Sequence, residues 1–223
     1  MVIMPNITQA VSEIVKRRPF LEEGLSSGII NHAYLADSLK DEIERMTGKH
    51  TNRYAIIMAI RRLSESLSES FAAKAALNLH GSELAVISGI SEITVSKSAA
   101  TNQRIEKMYA RFDPSKGDFL TITQGLYEST IIFSTKHAEI VKRSFMPRDI
   151  IYSADGLASL IVKISGAAAD SVGVLYALTK ILSWENINII EMVSTRTEEI
   201  FILKEGDAAA GFSAIAKAAE RKR

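Results

Sequence analysis

The residues best suited to hold a ligand lie in the stretch Ile164-Ser165-Gly166-Ala167-Ala168-Ala169-Asp170-Ser171-Val172-Gly173-Val174-Leu175. Small residues let the backbone turn tightly out of a strand. A helix that begins at Gly173 or Val174 then presents its first N–H groups, with the positive end of the helix dipole behind them. Such a terminus holds a carboxylate. A plain strand-to-helix turn with an acidic residue beside it would use the same residues, so spacing alone leaves both readings open.

Other chemistries lack the residues they need. His32, His50, His80 and His137 are scattered over different elements without metal-ligand spacing and read as surface or capping histidines, so no metal is expected. The chain has no cysteine, hence neither a disulfide framework nor a thiolate site, which fits a cytoplasmic location. Glu22-Glu23 and Asp41-Glu42-Glu44 lie on helix faces with no partner that would tune a carboxylate for acid–base work. There is no nucleophile elbow, phosphate-binding glycine loop or Ser/His/Asp order. The expectation is a protein that is not an enzyme and uses no cofactor.

The elements that must position the bend follow from hydrophobic periodicity. Asn6 and Gln9 form a capping box ahead of Ile7, Ala10, Val11, Ile14 and Val15, and Pro19 ends that run. A short helix over Phe20 to Leu25 stops at Gly28. Asn31 caps a helix carrying Leu35, Leu39, Ile43 and Met46, closed by Gly48. Thr51 or Asn52 caps another with Ile56, Ile60, Leu63 and Leu67 inside, running on through Phe71 to Leu77. The last two make a helix-turn-helix shape. Beyond Gly81 the period changes. Strands are predicted over Ser91 to Lys97, Phe119 to Gln124 and Ser129 to Ser134, with helices over Thr101 to Phe112 and Lys136 to Phe145. After a strand at Ile150 to Ser153 and an Asp155-Gly156 turn, a similar order repeats. It comprises strand Leu157 to Ser165, helix Gly173 to Glu185, strands Ile187 to Thr195 and Glu199 to Lys204, and helix Ala208 to Arg221. Two tandem α+β units result; the second ends at its helix with no C-terminal fourth strand, which leaves room for some strand exchange between units.

The bend and the strand after its helix resemble the ACT family of small-molecule sensors. That family carries Asp-x-Pro-Gly-Val-Leu after its first strand, where this chain has Asp170-Ser171-Val172-Gly173-Val174-Leu175. Asn186-Ile187-Asn188-Ile189-Ile190-Glu191-Met192-Val193-Ser194-Thr195 is similar to the second strand of aspartokinase regulatory domains. Val172 stands where the family has proline. The resemblance implies ferredoxin-like units and a ligand site at Asp170, Val172, Gly173, Val174, Leu175, Asn188 and Ile189. Backbone amides there would take the carboxylate of an amino acid and Asp170 its amino group. The earlier unit has Ser98-Ala99-Ala100-Thr101-Asn102 at the equivalent bend, without Asp or Gly, and reads as a degenerate partner. Asn31 to Leu39 with Ala59 to Leu63 resembles the winged-helix portion of archaeal predicted regulators of amino-acid metabolism.

The expected organisation is α+β: an all-helical, winged-helix-like domain over 1–80, a degenerate ACT-like unit over 85–153 and an ACT domain over 154–223. A formal net charge of +1 supplies no strongly basic field, so DNA contact would need a local patch. Arg53, Arg61 and Arg62 on the second helix of the helix-turn-helix are the candidates, offset by Glu65 and Glu69. Met1 to Thr8 has no secretory pattern and no segment is long and apolar enough to span a membrane. Expected partners are an amino acid, DNA or a metabolic enzyme, and a second copy of the chain in a homodimer. Trp184 is expected either in the core or between subunits, and Arg221-Lys222-Arg223 as a frayed tail.

Overall fold

A computed structural model describes residues 4–79 and 81–220; His80 and the Arg221 to Arg223 tail lie outside the described residues. The chain falls into two compact units, residues 1–75 and 76–223.

The N-terminal unit is built from α1 (Ile7–Lys16), α2 (Pro19–Ser26), α3 (His32–Thr47) and the first part of α4 (Arg53–Leu79). Its boundaries follow from capping chemistry. The Asn6/Gln9 box closes the start of α1, and the Asn31 carboxamide accepts from the Ala33 and Tyr34 amides at α3. Val11, Ile14, Leu25, Leu39, Ile43, Ile56 and Ile60 form its core, each removed from water almost completely. Among the described residues the unit contains no strand, so it has a helix-turn-helix but no β wing.

The C-terminal unit holds one six-stranded antiparallel sheet. Its elements are β1 (Glu83–Ser96), α5 (Ala99–Tyr109), β2 (Leu120–Gln124), β3 (Glu128–Ser134), α6 (Ala138–Arg143), β4 (Ile150–Lys163), α7 (Gly166–Ala169), α8 (Val174–Trp184), β5 (Glu191–Ser194), β6 (Glu198–Lys204) and α9 (Ala208–Glu220), with strand order β2-β3-β1-β4-β6-β5. The two fourteen-residue strands β1 and β4 pair along their lengths, from Glu83 opposite Lys163 to Val95 opposite Ile150. Each belongs to both halves of the sheet. The later part of β1 with β2, β3 and the start of β4 makes one ferredoxin-like set. The later part of β4 with β5, β6 and the start of β1 makes the other.

Two sequence expectations are corrected here. The first strand begins at Glu83, eight residues before Ser91, because Glu83 to Ile87 pairs with Ser159 to Lys163 and supplies the fourth strand of the second set. The Asp155-Gly156 turn is no turn: β4 runs through it, and the register with β1 slips there and again between Ile87 and Ile90. Gly89 and Gly156 sit at these two slips with φ near +70°, a conformation that costs a side-chain-bearing residue energy and glycine none.

Helices α5 and α6 pack on Ile93, Val95, Ile131 and Phe133, and α8 and α9 on Leu160, Val162, Phe201 and Leu203. Alternation along the strands and the cross-strand register put these residues on one face of the sheet. Strand β3, strand β6 and the inner parts of β1 and β4 are nevertheless buried on both faces. Ile90, Ile132, Leu157, Ile200 and Ile202 form a separate core on the opposite face. Among the described residues no helical one belongs to that core; Phe119 at the β2 end of the strand order and Ile190 and Val193 at the β5 end all pack against it, so the sheet curls one half toward the other.

Candidate functional site

The bend after β4 is more structured than the sequence alone suggests. Gly166–Ala169 forms the single turn α7, capped by the Ser165 hydroxyl, which accepts from the Ala168 amide at 3.1 Å. Asp170 ends that turn. Gly173, at φ 98°, then reverses the chain into α8, and no side chain caps the α8 N-terminus. An added Cβ at Gly173 would meet nothing within 4 Å. Val172 is 96% exposed and does not fill the bend, whereas Val174 is buried in the core under α8 and Leu175 is partly exposed. The terminus is open at the protein surface.

The equivalent bend after β1 is closed. Ser98 accepts from the Thr101 amide and Thr101 accepts from the Ser98 amide, so α5 satisfies its own first turn with a reciprocal cap. Of the two strand-to-helix bends, the one lacking Asp and Gly is the self-capped one.

The elements around the α8 bend bring part of the predicted set together. Ile189, Ala169 and Val174 share one hydrophobic cluster. The hairpin joining β5 and β6 is tied to the end of β4 by the Ile164 amide donating to the Thr197 carbonyl at 2.8 Å. From that hairpin Arg196 reaches Asp170, its Nη2 lying 3.1 Å from both carboxylate oxygens. Both side chains are about 70% exposed (71% and 67%). Sequence reading missed Arg196, since nothing in its neighbours announces a contact with a residue twenty-six positions earlier. Asn188 and Ile189 precede β5 instead of lying within it: Asn186 takes a left-handed φ of 58°, and pairing with β6 starts only at the Ile190 amide. Asn188 is exposed.

Other predicted residues are placed elsewhere. Arg53 is held bidentately by Asp37, Arg61 pairs with Glu65 through its Nε, and Arg62 is exposed. Trp184 is 74% exposed with the Lys180 ammonium 4.2 Å from the ring centre, so it is not a core residue of this chain. His50 is fully exposed beside Glu44. His137 departs from the surface expectation. It is largely buried against Phe112, ring centres 4.5 Å apart, with Nε2 3.1 Å from Asp118. The Asp113 amide, then Lys136 and His137, hold the Asp118 carboxyl well below the usual carboxylate range. This network fastens the loop before β2. Among the described residues no cluster of His, Asp and Glu could hold a metal, and no helix is long and apolar enough to cross a membrane. A cleft of about 520 Å³ in the N-terminal unit, lined by Asn6, Thr47, Lys49, His50 and Thr51 among others, includes none of the predicted ligand residues.

No family model and no curated protein matches the sequence. Solved structures do match the fold. The ligand-free regulatory subunit of aspartate kinase from Thermus thermophilus superposes with a TM-score of 0.52 at 14% identity, over 64% of this chain and 99% of that one. The corresponding subunit from Thermus flavus gives 0.50 at 15%, over 61% and 97%. Aspartate kinase from Clostridium acetobutylicum, described as an allosteric enzyme, gives 0.50 at 16% over 60% of this chain, which spans about a third (34%) of that enzyme's length. At these identities the likeness establishes the fold: the architecture is that of aspartate kinase regulatory, ACT-type domains.

Proposed function

We propose that this chain is a regulatory protein, not an enzyme, that senses an amino acid or similar small metabolite through its ACT-type sheet and acts on amino-acid metabolism. The observation that carries the reading is the uncapped α8 terminus beside Asp170, set against the self-capped terminus of α5. A helix start with no side chain on it, in a fold shared with regulatory subunits of aspartate kinase, is suited to take a carboxylate from outside. In this reading the amides at Val174 and Leu175 take the carboxylate, Asp170 takes the ammonium group, and Asn188 and Ile189 border the ligand. The bend faces outward, so a second copy of the chain covers the bound molecule, and the working form is a homodimer. Ligand acts by preferring one arrangement of the pair over another. The structural units are taken as a helical, helix-turn-helix head over 1–80, a non-binding ACT-like unit over 85–153 and the binding ACT unit over 154–223.

The head reports the ligand state to DNA or to a protein. Residues 1–75 carry ten basic and nine acidic side chains, and Arg53 and Arg61 are engaged within the unit. Phe20, Ile29, Tyr34 and Tyr54 are exposed. That surface favours a protein partner over a DNA backbone. A second reading therefore stands beside the first: a docking subunit for a metabolic enzyme, whose ACT pair serves assembly alone. Calorimetric titration of the full chain against the twenty amino acids separates the two. The sensor reading predicts saturable heat and a raised melting temperature for at least one of them. Neither effect for any amino acid, together with co-purification of an enzyme and no shift of DNA, establishes the docking role instead.

A further inference from the structure

The inner face of the folded sheet carries Ile90, Ile132 and Leu157 beside the hydroxyls of Thr94, Thr130 and Ser159, and one almost fully buried carboxyl, Glu92. This residue lies in β1 opposite Ile132 of β3 and Ala154 of β4, is 1% exposed, and its carboxylate oxygen Oε2 has no hydrogen-bond partner among the described residues. Ile90, Ile132 and Leu157, all buried, line the same face. A charge in such a place must be paired or hydrated, and no described cation pairs with it.

The groups facing Glu92 make a charge there still harder to hold. Glu191 on β5 acts on it as a like charge, and Glu128 on β3 acts on Glu191 in the same sense. In the sheet order β5 lies three strands from β1. A carboxylate on β5 therefore faces β1 because one half of the sheet closes over the other. Only the Thr94 hydroxyl favours the ionised form. Tyr152 of β4 stands opposite Thr94. Asp155, at the register slip, is paired with Lys142 at 2.8 Å. None of the described lysines, arginines or histidines is among the groups acting on Glu92. Burial first and Glu191 second raise its carboxyl to about 7, against an ordinary 4.5.

The seam where Glu92 sits is also where the strands are least regular. Register slips lie between Ile87 and Ile90, between Ile90 and Glu92, and between Thr94 and Val95, so the β1–β4 ladder is interrupted on both sides of the buried carboxyl. We propose that closure of the two half-sheets is linked to a proton on Glu92: the halves pack face to face while the carboxyl is neutral, and ionisation opens the seam to water. This device is independent of the ligand at the α8 bend. It would let cytosolic pH change how firmly the two ACT-type sets are coupled.

Hydrogen exchange of the full-length protein, corrected for the intrinsic pH dependence of exchange, tests the proposal between about pH 5 and about pH 8. The open state has an ordinary carboxyl and the closed state a raised one. Opening therefore becomes about tenfold more frequent per pH unit up to neutrality and then levels off. Amides over residues 90–95 and 191–194 should show that profile. Glu92→Gln should make it flat, and Glu191→Gln should make it level off at lower pH by removing a repelling charge. Wild-type protection that is independent of pH in these segments overturns the proposal. So does a Glu92→Gln profile that still follows pH, or, where that variant does not fold, a Glu191→Gln profile that superposes on wild type.

Discussion

Asp170 already has a partner, and this shapes how the α8 bend would work as a site. A ligand's ammonium group must compete with the Arg196 guanidinium, which lies against both carboxylate oxygens. Because the pair is exposed it contributes only about 0–1 kcal/mol, so a ligand with additional contacts to the α8 amides can displace it. Two variants should then move affinity in opposite directions. Asp170→Asn removes a charge-assisted bond of roughly 1.5–3 kcal/mol and should weaken amino-acid binding about tenfold or more. Arg196→Met removes the competitor and should tighten it. Both should leave the unfolding midpoint nearly unchanged, within about 0.5 kcal/mol, since neither side chain is buried. Calorimetric affinities of the two variants beside wild type check the pair, and equal losses in both would show that Arg196 contacts the ligand directly.

Helix α9 approaches the sheet closely at Gly211. A Cβ there would lie 3.2–3.3 Å from side-chain atoms of Leu160, Leu182 and Leu203. Gly211→Val should overpack this contact and cost about 1–3 kcal/mol, read as a lower denaturation midpoint of the C-terminal unit. The helices were legible in the sequence because each carries its own period and caps: Asn6 with Gln9, Asn31 and Gly48 all act where their types and spacing place them. What stayed hidden depended on pairing across distance. Glu83 to Ile87 is strand because Lys163 to Ser159 lies beside it, eighty residues away at the far end. Asp155-Gly156 has the composition of a hairpin turn. It becomes a bulge because β1 continues as a partner on the same side. Glu92 alternates with Ile93 as a solvent-facing residue should, yet it is buried, on the face whose core draws residues from both ends of the sheet. At the α8 bend, Gly173 and the open helix start could be read directly, while α7 and the Arg196 tie could not.

At the scale of the molecule, a sheet whose edge strands are β2 and β5 has two free edges and an outward-facing bend. In the proposed account a homodimer covers such edges and the bend by symmetry. The helical head, compact in its own right, would carry the output in that account. These roles follow only if the bend binds an amino acid, so its amides are the place to look. Two-dimensional amide NMR of the full-length chain during titration with each of the twenty amino acids reads them individually. The account predicts that one or a few ligands shift Gly173, Val174 and Leu175 first and most, in a saturable manner. Those resonances standing still under every amino acid, or moving less than residues far from the bend, would contradict it.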